Sequence, residues 1–132
     1  MTTKRLAHLL ILSVGLLLCA PAQADPATDH YNEGLRLKKA GKLDAAIVAM
    51  EEALKLRPDY AAVHQSMGVL QRKKKAYAKA EAHLRKAIKL EPKWANAYYS
   101  LGLVLYHQGK KDEAVTAMEK AAALDPRDAM TL

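Results

Sequence analysis

Few side chains in this chain could do acid–base, nucleophilic or metal chemistry. Beyond residue 24 there are four histidines (His30, His64, His83 and His107), 14 acidic residues and no cysteine. His30 and His64 stand 34 residues apart at matching places in successive copies of a repeat. Stacking the copies puts them about one repeat apart, too far to share a metal ion. Glu81 and His83 are two apart, which turns them to different sides of a helix. His107 follows Tyr106 at the end of a helical segment, with no carboxylate at helical spacing before it. A Ser-His-Asp set, a glycine-rich phosphate loop and a pair of carboxylates sharing a pocket are all lacking. We expect no enzyme, no catalytic residue, no cofactor and no metal site.

The elements that position these residues follow from one register. Gly34, Gly68 and Gly102 recur every 34 residues, as do Ala46, Ala80 and Ala114, then Ala53, Ala87 and Ala121, then Pro58, Pro92 and Pro126. Self-similarity at this period marks stacked helical repeats. Each copy predicts two helices. The first copy has one over 27–40, stopped by Gly41, and one over 43–56, stopped by Arg57-Pro58. The next copies predict 61–74 and 77–90, then 95–107 and 111–124, and the tail 129–132 would open a fourth copy. Small residues at the register positions let helix backbones approach, and each proline forbids continuation of the helix before it. Leu84, Ile88, Leu101, Val104 and Met118 fill the space between helices.

This layout resembles the tetratricopeptide repeat. The matching residues are Gly34, Ala46, Met50, Ala53 and Pro58, then Gly68, Ala80, Leu84, Ala87 and Pro92, then Gly102, Ala114, Met118, Ala121 and Pro126. The implied fold is all-α, an α-solenoid of three stacked helix-turn-helix repeats over 27–60, 61–94 and 95–128. His30, His64 and Tyr98 stand where the family often has tryptophan, and the two histidines read as packed rings. Lys75 replaces the turn glycine present at Gly41 and Gly109, and Glu33 stands where Met67 and Leu101 are apolar. The family's usual solvating helix after the last repeat is lacking.

The resemblance implies that the first helix of each hairpin lines a concave groove for an extended protein or peptide partner. That assigns Tyr31, Asn32 and Leu35 to the groove from the first copy. The second contributes Gln65, Ser66 and Val69, and the third Asn96, Tyr99, Leu103 and Tyr106. A carboxylate clamp known in some relatives would need Lys, Arg and Asn at Tyr31, Leu35, Ser66, Asn96 and Ser100, so it is absent. Beside the groove, Lys38, Lys39, Arg72, Lys73, Lys74 and Lys75 align as a basic edge for an acidic partner or an anionic surface. Cations favour helix C-termini, which accounts for part of this run.

Lys4 and Arg5, the apolar run 9–20 and Ala22-Gln23-Ala24 have the layout of a secretory signal peptide cleaved after Ala24. Leu18 before Cys19 fits a lipoprotein signal poorly. Removing the segment lowers the net charge from +7 to +5 and leaves a cysteine-free mature chain suited to a bacterial periplasm. The expected function is an exported adaptor in a cell-envelope assembly, with no nucleic-acid partner and at most peripheral membrane contact. The alternatives are a self-associating structural module, through Val115, Met118 and Ala122 of the last helix, or an anionic-surface binder acting through the basic edge.

Overall fold

The computed structural model describes residues 25–129. The signal-like segment 1–24 with Cys19, the cleavage point after Ala24 and the last three residues lie outside them. The chain is all-α. Its helices are α1 (Pro26–Lys39), α2 (Leu43–Leu56), α3 (Ala61–Lys73), α4 (Tyr77–Leu90), α5 (Ala95–His107), α6 (Lys111–Leu124) and a last turn, α7 (Pro126–Ala129). α1 with α2, α3 with α4 and α5 with α6 form three hairpins, and each hairpin packs on the next through α2 against α3 and α4 against α5.

The expected boundaries hold except at three ends. α1 begins one residue earlier, because Pro26 suits the first helical position and the Asp25 carboxylate accepts from Ala27 N and Thr28 Oγ1. α1 and α3 each end one residue earlier, at the turn that closes them. Helix resumes directly at Pro126, before the expected start of a fourth copy.

That turn is the same in all three hairpins. Lys42, Ala76 and Lys110 donate their N–H to the carbonyls of Leu37, Gln71 and Leu105 at 3.0, 2.8 and 2.9 Å. These six-to-one bonds satisfy carbonyls that the helix end would leave open, and they require a left-handed residue in the middle. Gly41 and Gly109 supply it at φ 76° and 80°, and Lys75 supplies it at φ 60°. At the other end of each hairpin, Arg57, Glu91 and Asp125 are extended, as residues before proline must be.

The register glycines are holes for large side chains. A Cβ on Gly34 would fall 2.8–3.1 Å from Met50, one on Gly68 2.4 Å from Leu84 Cγ, and one on Gly102 2.6 Å from Met118 Cγ. Each hairpin is therefore locked by a knob from its second helix seated on a glycine of its first. Between hairpins, Met50, Val63, Met67 and Leu70 form one buried cluster, and Leu84, Leu101, Val104 and Leu105 form the next. Met67 and Leu101 sit inside these joints. Glu33, at the matching place of α1, has no hairpin before it among the described residues and pairs instead with Arg36 at 2.6 Å.

Candidate functional site

α3 packs directly on α5, a contact that neither α1 with α3 nor the second helices of neighbouring hairpins match. The residues assigned to the groove all stand on α1, α3 and α5. Asn32, Asn96 and Tyr106 are exposed, Tyr106 at 60%, while Tyr31, Leu35, Gln65, Val69, Tyr99 and Leu103 are half-buried. Ser66 is closed off at 2% exposure by the packing of α3, which corrects its assignment as a contact residue.

Three polar side chains meet between the second and third hairpins. Gln65 Nε2 donates to Asn96 Oδ1 at 2.7 Å and reaches Ser100 Oγ at 3.5 Å, and Ser100 Oγ lies 3.5 Å from Asn96 Oδ1. Tyr31 packs against Tyr60 with the rings tilted at 49° and their centroids 5.2 Å apart, and the Arg57 guanidinium lies 4.3 Å above the Tyr60 ring. Tyr31 thus braces the first joint. Tyr106 meets His107 edge-on at 6.0 Å, and His107 stacks on Tyr77 at 5.2 Å.

The basic edge divides in two. Lys74 pairs with Asp44 in the first turn of α2, and Lys110, in the third turn, donates to Glu81 at 3.0 Å. Stacking brings carboxylates of one hairpin beside the turn of the next, so part of the edge is neutralised internally, a consequence not foreseen from charge counting within each turn. Lys38 and Lys73 behave differently. Burial first, and the Lys73 charge second, hold the Lys38 ammonium below the ordinary lysine range. Lys39, Lys73 and Lys75 are exposed and Arg72 is half-buried.

Glu81 is the best-supplied carboxylate. Burial raises its pKa, but donors from Lys110, Arg85 and Gln108 outweigh that and hold it below the usual range. Sequence reasoning also missed His64 facing His83, with Nδ1 atoms 3.1 Å apart. The two lie 19 residues apart on different helices, a separation that no periodicity signals. Among the described residues there is no group of three or more His, Cys, Asp or Glu placed for a metal.

A family model described as tetratricopeptide repeat matches residues 31–93 and again 72–129. The chain belongs to the tetratricopeptide repeat family. It is similar to the crystal structure of MamA (29% identity, TM-score 0.72), over 79% of this chain and 61% of that one. The match thus spans about three fifths of MamA. The first tetratricopeptide repeat domain of Spaghetti (RPAP3), solved bound to the HSP90 peptide SRMEEVD, is similar over 81% of this chain and 85% of that one, at 22% identity and TM-score 0.76. The second such domain gives 23% identity and TM-score 0.75, over 76% of this chain and 94% of that one. These two likenesses are of fold. A comparison with curated proteins found no match.

Proposed function

We propose that this protein is an exported adaptor that holds an extended segment of a partner protein along its first-helix layer. The tetratricopeptide fold points to protein–protein interaction. The observation that carries the finer reading is the polar joint of Gln65, Asn96 and Ser100, flanked by Tyr99, Leu103 and the exposed Tyr106. The Gln65 and Asn96 amides can pair with the main chain of an extended segment, with Ser100 buried behind them, and tyrosines supply rigid anchors. The peptide-bound neighbours lend support by analogy of fold alone. Lys38 and Lys73, whose charges repel, favour a segment with acidic residues. Export rests on the segment 1–24, and the bacterial envelope is the proposed setting. No helix among the described residues is long and apolar enough to cross a membrane, and the proposed membrane contact is peripheral at most.

The test compares recovery of envelope proteins by wild type and by a Gln65→Ala/Asn96→Ala variant after crosslinking. The reading expects the variant to lose specific partners at unchanged helicity, and equal recovery contradicts it. Self-association is a second reading, favoured by Val115. Its counterparts, Ile47 and Glu81, are covered by the following hairpin, but Val115 is 55% exposed at the end of the stack. Sedimentation that shows a monomer at every concentration excludes it.

A further inference from the structure

His64 and His83 face each other across the second hairpin, with ring centroids 5.4 Å apart and Nδ1 atoms at 3.1 Å. The other nitrogen of His64, Nε2, lies 2.7 Å from the carbonyl oxygen of Pro58. A carbonyl only accepts, so Nε2 carries a proton and the neutral ring turns an Nδ1 lone pair toward His83. A single proton, on His83 Nδ1, then lies between the rings. We propose that this pair binds a first-row divalent transition-metal ion, with His64 Nδ1 and His83 Nδ1 as its protein ligands and Cu(II) as its tightest occupant.

The Nδ1 separation suits one ion once the two rings turn from facing each other toward it. Imidazole nitrogens lie about 2.0–2.1 Å from such a metal, so two of them 3.1 Å apart subtend roughly 95–100°. That angle suits neighbouring positions of a tetragonal site and lies near the tetrahedral value. The Pro58 carbonyl supplies the second-shell contact that fixes the tautomer and orients the ring. That carbonyl lies in the connection before α3, and both histidines stand on helices of one packed hairpin. Lys86, one turn after His83, is neutralised by Asp59 at 3.1 Å.

Repeat packing does not demand the pair. The matching places are His30 with Ala49 in the first hairpin and Tyr98 with Ala117 in the third. In the third hairpin Tyr98 and Ala117 line an open depression of about 490 Å³. Only the second hairpin fills this place with two imidazoles.

On binding, the ion takes both Nδ1 lone pairs, and the proton on His83 Nδ1 is replaced through solvent by one on its Nε2. No proton is released from the neutral pair, and the metal's oxidation state does not change. Protonated rings compete below the imidazole range, so affinity falls in acid. Water fills the other positions, and the order of divalent-metal affinity ranks Cu(II) above Zn(II).

The test titrates the untagged chain with copper sulfate and, separately, zinc chloride by calorimetry, with electron paramagnetic resonance on the copper form. His83→Ala keeps the fold, since alanine stands at the matching places of both other hairpins, and circular dichroism checks this. His64→Gln is the second variant and His107→Ala the remote control. The expected result is one Cu(II) per chain with two-imidazole nitrogen hyperfine splitting. Affinity falls at least about tenfold in either pair variant and stays unchanged in His107→Ala. Copper bound equally by His83→Ala, or no stoichiometric copper in wild type, overturns the proposal.

Discussion

Lys75 carries a conformation that its side chain opposes. Its φ of 60° is the left-handed geometry that the hairpin turn requires and that Gly41 and Gly109 meet freely. A Cβ in that region costs roughly 1–2 kcal/mol. Lys75→Gly is expected to raise stability by about 1 kcal/mol and the thermal midpoint by a few degrees. An unchanged midpoint in a calorimetric scan would refute the strain. His83 titrates against the fold. Burial first and His64 second hold its pKa below the ordinary 6.5. The unfolded chain therefore binds its proton first, and stability falls as pH drops below about 6.5, levelling off once the folded ring is also protonated. His83→Ala should flatten that part of the pH–stability curve, and an unaltered slope would count against the pairing.

At the scale of the helix, the knob-on-glycine contact decides whether two helices can close. Gly68→Ala drives a Cβ to 2.4 Å from Leu84 Cγ, a branch point fully buried in the core. The expected cost is about 1–3 kcal/mol in chemical denaturation, and a neutral result would mean that α3 and α4 pack more loosely than described. Between hairpins, Glu81 gathers Arg85, Gln108 and Lys110. Its lowered pKa contributes stability that is present above the unfolded carboxylate range and lost as pH falls through the folded value. Glu81→Gln should cost about 0.5–1 kcal/mol at pH 7, since its cationic partners are half exposed, and little near pH 2. The hairpins were legible in sequence because glycine, alanine and proline answer to backbone sterics, which every copy shares. Gln65–Asn96, His64–His83 and Lys74–Asp44 were not. Each joins residues of different helices and occurs in one place only, so neither period nor spacing reports it.

For the described residues as a whole, stacking three hairpins sets α3 directly on α5 and leaves Val115 of α6 exposed. Glu33 at the start of the stack and Val115 at its end show how position within the array overrides the repeat. The same stacking neutralises Lys74 and Lys110, and leaves Lys38 and Lys73 as the cations best placed for an acidic segment. Lys38→Glu/Lys73→Glu should weaken partner binding and reduce its salt dependence; the same affinity and salt slope as wild type would remove the acidic segment from the account. The most direct test of the central claim places a photo-crosslinking side chain at Asn32, Asn96 or Tyr106 on the first-helix layer, and at Val48 or Thr116 on the exposed side of the second helices. The account predicts that the same partner segment is captured from all three first-helix positions and from neither of the others. Capture from Val48 or Thr116 alone would contradict it.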